Sequence, residues 1–194
     1  MTNELLLAVT DGDVETVRRL VSEDPSLASA RDGSGLHVVL VALFNQHREV
    51  ADVLLAADPE LGVLEAAATG RADRLRELLD GDPALANAFG DDGFQPLGLA
   101  CFFGHVEAAR VLLDRGADPN SLARNEHVQA GPLHSASASE NKGEDVRYEL
   151  CALLLDHGAD PNLEQAGGFT ALDAARQNGD ERLERLLLER GARA

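Results

Sequence analysis

The residues able to do chemistry are few in this chain and poorly spaced for it. Its six histidines are His37, His47, His105, His127, His134 and His157. No two stand one helical turn apart, the spacing a bound metal ion asks of a helix, and there is no Cys-x-x-Cys. Cys101 and Cys151 are too few for a disulfide framework, and their apolar surroundings mark them as small core residues. Gly-x-Ser-x-Gly is absent, and Asp32-Gly33-Ser34-Gly35 is turn chemistry. Ser135, Ser137 and Ser139 alternate with Ala, so on a helix they diverge. No Gly-x-x-x-x-Gly-Lys phosphate loop occurs. The acidic pairs Asp91-Asp92 and Glu144-Asp145 have the look of solvated loop tips; acid–base work would require burial or enforced proximity. Neither catalysis nor a metal or other cofactor is expected.

Charge narrows the choice of partner. Seventeen basic residues face 34 acidic ones, a net charge of −17. Such a field repels nucleic-acid phosphates and anionic membranes and favours a partner with a basic patch. The N-terminus carries Glu4 and Asp11 with no basic leader, and the longest apolar run, Val38 to Phe44, is far too short to span a bilayer. A cytoplasmic location is expected. Lys142 is the only lysine, an arginine bias that suggests a GC-rich, bacterial genome. Hydrophobic residues make up 44% of the chain but aromatics only 4%, without Trp, so Leu, Val and Ala must fill a core of closely packed helices.

The elements that position these residues repeat. Leu112-Leu113-Asp114-Arg115-Gly116-Ala117-Asp118-Pro119-Asn120 returns as Leu154-Leu155-Asp156-His157-Gly158-Ala159-Asp160-Pro161-Asn162, and a shortened copy is Leu187-Leu188-Glu189-Arg190-Gly191-Ala192. Around Leu97 the spacing predicts a helix over Pro96–Phe103, a stop at Gly104, and a second helix from about His105 to Arg115. Leu5 to Gly12, Val63 to Gly70 and Leu172 to Gly179 fit the same frame. Another unit fits when anchored at Val39, which sets Asp32-Gly33-Ser34-Gly35 against Gly90-Asp91-Asp92-Gly93. The fifth unit starts at Gly131-Pro132-Leu133-His134 and carries a polar insertion around Glu140-Asn141-Lys142-Gly143-Glu144-Asp145, read as a surface loop. His47 and His105 open second helices and His157 precedes a helix-ending Gly; these are structural placements.

Gly93-Phe94-Gln95-Pro96-Leu97, Gly104-His105-Val106-Glu107, the Leu-Leu-Asp-x-Gly-Ala-Asp-Pro-Asn phrases, Gly131-Pro132-Leu133-His134 and Gly168-Phe169-Thr170-Ala171-Leu172-Asp173-Ala174-Ala175 together resemble the ankyrin-repeat family. The resemblance covers essentially the whole chain and its spacing is near 33 residues. It implies an all-α, ankyrin-like solenoid of about six stacked helix-turn-helix repeats with short hairpin or turn fingers. The approximate repeats are 2–30, 31–58, 59–88, 89–120, 121–162 and 163–194, in one domain over 1–194. Between Asp58 and Val63 too few residues remain for a finger, and Pro59 and Glu60 are expected to open the next helix. Arg182, Arg185, Glu189 and Arg190 are expected to give the last helix a polar outer face.

The resemblance also implies where a partner binds. In the family the last two residues before the first helix's terminal Gly face the concave side, which here selects Phe44 and Asn45, Phe102 and Phe103, Gln177 and Asn178, with Thr10, Asp11, Ala68, Thr69, Ala138 and Ser139 at equivalent places. Finger positions are Leu36, Asp91, Asp92, Phe94, Ala130 and Phe169, and His127 is the histidine available to a ligand or partner. His134 sits where the family's His bonds to neighbouring loops. Phe44, Phe94, Phe102 and Phe103 are expected to frame an apolar notch over Ala68 and Thr69. The expected function is a non-enzymatic protein–protein interaction module that binds a partner through its concave face and finger tips, as a monomer. The alternative is a small-molecule-binding or catalytic accessory protein using the notch near Phe44 and Phe102.

Overall fold

The computed structural model of the chain describes residues 2–125, 129–138 and 143–193. It divides into two compact units, Met1–Glu65 and Ala66–Ala194. Among the described residues regular structure is helical, and the only β pairing is an isolated antiparallel bridge between Arg31 and His37.

Unit 1 contains α1 (Thr2–Asp11), α2 (Val14–Glu23), a 3₁₀ turn (Pro25–Ser29), α3 (Val38–Phe44) and α4 (Arg48–Ala56), and ends within α5 (Val63–Ala68). First helices pack on first helices and second on second: α1 against α3, α2 against α4. Leu5, Val9, Val17, Leu20, Val39, Val50 and Leu54 are sealed between them. These residues recur on one stripe of each helix, so each helix pair buries its apolar side only against a neighbouring pair.

Helix ends follow local chemistry. Asp13 caps α2, its carboxylate accepting from the Thr16 amide at 3.1 Å and the Thr16 hydroxyl at 2.6 Å. Gly12 ends α1 at φ 75°, and the equivalent place after α3 is taken by Gln46 at φ 63°. Gln46 stands seven residues after Val39 as Gly104 stands after Leu97, which supports the Val39 register. After α4, Asp58 takes the left-handed position at φ 54° that Gly116 takes at φ 83°. No finger follows it. Pro59 and Glu60 do not open a helix, contrary to expectation: α5 starts only at Val63, because the Glu60 amide is held by the Ser29 hydroxyl at 2.9 Å.

Unit 2 contains α6 (Ala72–Gly81), a 3₁₀ turn (Pro83–Asn87), α7 (Pro96–Phe103), α8 (Val106–Asp114), α9 (Pro132–Ser137), α10 (Glu144–Asp156), α11 (Ala171–Gln177) and α12 (Glu181–Glu189). The inner layer runs α7, α9, α11 and the outer layer α6, α8, α10, α12. Leu112, Leu154 and Leu187 are fully buried on the outer-helix stripe. Pro96 and Pro132 sit in first turns, where no helical donor is lost. Thr170 and Asp173 form a reciprocal capping box on α11.

Glu144 and Asp145 were expected in a loop. They instead form the first turn of α10, which runs 13 residues; carboxylates suit a helix N-terminus, and Asp145 also meets Arg182 at 2.6 Å. Arg182 and Arg190 reach back to α10, Arg190 to Asp156 at 2.7 Å, rather than only clothing an outer face.

Candidate functional site

Three fingers share one turn. In residues 32–36, 90–94 and 165–169 the first residue's amide bonds to the last residue's carbonyl at 2.8, 2.9 and 2.9 Å. Gly35, Gly93 and Gly168 supply φ values of 90°, 81° and 78°. Leu36, Phe94 and Phe169 therefore occupy equivalent positions in this turn. Leu36 and Phe94 are half-buried, whereas Phe169 is 53% exposed. Ala130, at the matching place before α9, is buried.

The 90–94 finger is fixed by the next one. Arg124 donates its amide to the Gly93 carbonyl at 2.8 Å and Asn125 gives its side-chain NH₂ to the Asp92 carbonyl at 2.8 Å. A Cβ on Gly93 would lie 2.6 Å from the Asn125 nitrogen, so this close approach requires glycine. The Arg124 guanidinium also covers the Phe89 ring, 3.6 Å from its centroid. Asp91 is exposed at the tip. Asp92 is not a solvated tip residue: it is half-buried and its carboxylate accepts from the Phe94 amide at 3.1 Å, which is how Asx residues build turns.

On α7, Phe102 is 51% exposed and Phe103 is half-buried. Their rings meet edge to face with centroids 5.0 Å apart, a favourable aromatic geometry. Ala138, at the end of α9, and Gln177, at the end of α11, are exposed beside small or polar neighbours. Asn178 is half-buried and spends its side-chain NH₂ on the Ser137 carbonyl at 3.1 Å, tying α11 to α9. Ala68 is buried at 1% exposure and Thr69 half-buried.

Phe44 and Asn45 belong to unit 1; Phe94, Phe102, Phe103, Ala68 and Thr69 belong to unit 2. Phe44 is half-buried, and Asn45 is exposed with its side-chain NH₂ on its own helix's Val41 carbonyl at 2.8 Å. His127 lies outside the described residues, as does Ser139.

The other histidines have structural contacts. His47 and His105 cap α4 and α8 and bring Nε2 to the Thr10 and Ala68 carbonyls at 3.1 and 3.0 Å. His157 brings Nδ1 to the Leu153 carbonyl at 2.8 Å. Burial lowers the His134 pKa, opposed by the Thr170 backbone and the Asp173 charge. Two features had no periodic signal in the sequence. His37 is a buried helix cap, and Arg147 is a buried cation paired with Asp180 at 3.1 Å. The Cys151 thiol is pushed up by complete burial and the nearby Cys101, which leaves it unreactive. Among the described residues no group of three or more His, Cys, Asp or Glu could hold a metal ion, and no helix is long and apolar enough to cross a membrane.

The outer helices of unit 2 are linked by ion pairs: Arg115 meets Asp80 at 2.6 Å and Arg76 meets Glu107. A ladder of asparagines ties successive helix ends. Asn87, Asn120 and Asn162 each accept from an amide of the next repeat, at 2.8, 2.7 and 2.8 Å. Each also donates to the carbonyl of that repeat's helix-ending glycine, at 2.8, 3.0 and 3.0 Å.

Known proteins resemble this chain. Residues 5–123 match the family model described as ankyrin repeats in three copies, and residues 131–165 match that of the single ankyrin repeat. The putative ankyrin repeat protein YahD of Escherichia coli (strain K12) is 27% identical over 97% of this chain and 96% of its own length. The DNA-binding protein RFXANK of Homo sapiens is 36% identical over 52% of this chain, and the ankyrin repeat and SOCS box protein 16 of Mus musculus is 42% identical over 38% of it. The chain spans only 39% and 14% of those two relatives. The crystal structure of an ankyrin repeat domain from Acinetobacter baumannii AYE matches with a TM-score of 0.61 and 28% identity, covering 97% of this chain and 98% of that one. The repeated helix pairs, the glycine-ended turns and these matches make the chain a member of the ankyrin-repeat family.

Proposed function

We propose that this chain is a non-enzymatic protein-interaction module, acting as one domain over 1–194, and that in unit 2 its partner is recognised by Phe94, Phe102 and Phe103 with the finger residues Asp91 and Phe169 and the polar Gln177. Ankyrin repeats generally serve protein–protein interaction, and this is the setting of the proposal. The observation that carries it is the half-exposed Phe102, edge to face with Phe103, in a chain with so few aromatics. Aromatic groups at the centre of an interface carry much of its binding energy. In unit 1, Leu36, Phe44 and Asn45 are the corresponding contact residues on this reading, and His127 is added from the sequence alone.

The partner carries a basic patch around an apolar anchor. In support, the chain has twice as many acidic as basic residues, and several arginines are already engaged on the outer helices. The same excess of carboxylates argues against nucleic acid as the ligand. The module works as a monomer in the cytoplasm. Its backbone needs little ordering on binding, because turns and caps already fix the fingers.

The test is quantitative affinity capture from native lysate with the wild-type chain and Phe102→Asp. The expected result is a protein retained by the wild type and lost with Phe102→Asp at an unchanged denaturation midpoint. Equal retention by both would overturn the assignment.

A further inference from the structure

Unit 1 holds a buried polar cluster that the interaction reading does not use. His37 and Glu65 are 1% and 2% exposed. Arg31, across the β bridge from His37, places one guanidinium nitrogen 3.2 Å from Glu65 Oε1 and another on the Gly35 carbonyl at 3.0 Å. Gly62 makes room for this acid: a Cβ there would lie 2.8 Å from Glu65 Oε2.

His37 stands at the N-cap of α3, and its Nδ1 accepts from the Val39 amide at 3.2 Å. A ring nitrogen that accepts carries no proton, so the neutral ring bears its hydrogen on Nε2. Nε2 has no hydrogen-bond partner of normal geometry, although the Glu60 backbone faces it. The same position before α11 is filled by Thr170, which caps with a hydroxyl that does not titrate.

We propose that His37 is a proton-operated clasp: the neutral ring holds the first turn of α3, and one proton taken up at Nδ1 removes the lone pair that accepts from Val39 and releases residues 31–39. The charged groups facing the ring are Glu65 on α5 and Arg31 in the finger. Burial opposes the imidazolium most, Arg31 opposes it too, and Glu65 favours it, so the closed form resists the proton. Proton uptake is therefore tied to opening. With one proton per opening, the open fraction rises up to about tenfold per pH unit below the ring's ordinary range. Unit 1 keeps its finger closed at neutral pH and loosens it in mild acid.

The test is amide hydrogen exchange on the whole chain between about pH 5 and 8, corrected for intrinsic exchange, with nitrogen NMR of the imidazole rings. The expected ring at the upper end of that range is neutral with hydrogen on Nε2. Protection at Val39 and Leu40 should fall with acid in the wild type and lose that dependence in His37→Thr, which keeps a hydroxyl cap. His37→Asn gives the same comparison if the threonine variant does not fold, and the ring's tautomer is read without any variant. A ring protonated on Nδ1 at neutral pH, or parallel profiles in wild type and variant, would overturn the proposal. So would an acid-induced loss of protection spread evenly over α1, α2 and α4.

Discussion

Replacing Asn120 with alanine removes a two-bond bridge between successive repeats of unit 2. Its Oδ1 accepts from the Asp160 amide at 2.7 Å and its Nδ2 donates to the Gly158 carbonyl at 3.0 Å. Each such bond contributes about 0.5–1.5 kcal/mol net. Both backbone groups lie at an exposed helix end, so water replaces part of what is lost, and the expected destabilisation is roughly 1–2 kcal/mol. The assay is urea denaturation followed by circular dichroism. The midpoint should fall with the slope unchanged, because the surface exposed on unfolding stays the same. Asn45→Ala is the control, since that amide bonds only to its own helix and bridges no repeats. If Asn120→Ala costs no more than the control, the asparagine ladder does not couple the repeats and the reasoning fails.

Other substitutions follow from the helix ends. Gln46→Gly should stabilise unit 1 by about 0.5–1 kcal/mol in thermal denaturation, because relief of a left-handed backbone exceeds the added flexibility of glycine; its φ is 63°. Gly70→Ala should destabilise unit 2 by roughly 1–2 kcal/mol from backbone strain alone, and further because its Cβ would lie 2.6 Å from His105 Nδ1; an unchanged midpoint would refute this. His134 is held below its ordinary pKa by burial. Its neutral form therefore supports folding fully above the unfolded value near 6.5, and that support is lost as pH falls from there toward the folded pKa. Denaturation midpoints measured over that window should drop in the wild type and drop less in His134→Gln.

Much of the fold could be read from residue types because each repeat buries the same stripe against the same kind of neighbour. Leu112, Leu154 and Leu187 recur for that reason, and Pro96–Phe103 emerged with its predicted bounds. Glycine-ended turns were equally legible, since φ near 80° leaves glycine the favoured residue. Where another residue takes that conformation the signal vanishes: Gln46 and Asp58 carry no mark of it, and the true start of α5 was missed with Asp58. The turn added to α10 was hidden because Glu144 and Asp145 suit a loop as well as a helix start. His37 and Arg147 escaped notice because their partners, Val39, Glu65 and Asp180, are set by caps and stacking rather than by period. At the candidate site the sequence marked the aromatic positions. It could not say that Phe102 is more exposed than Phe103, because that depends on how the neighbouring helices pack around each ring.

The most direct measurement is an alanine scan of Phe94, Phe102 and Phe103 that reads affinity for the captured partner and denaturation midpoint on the same samples. The account expects Phe102→Ala to weaken binding by at least about tenfold, the scale of an interface hot spot, while the midpoint barely moves. A Phe102→Ala chain that loses stability yet binds as tightly as the wild type would contradict it.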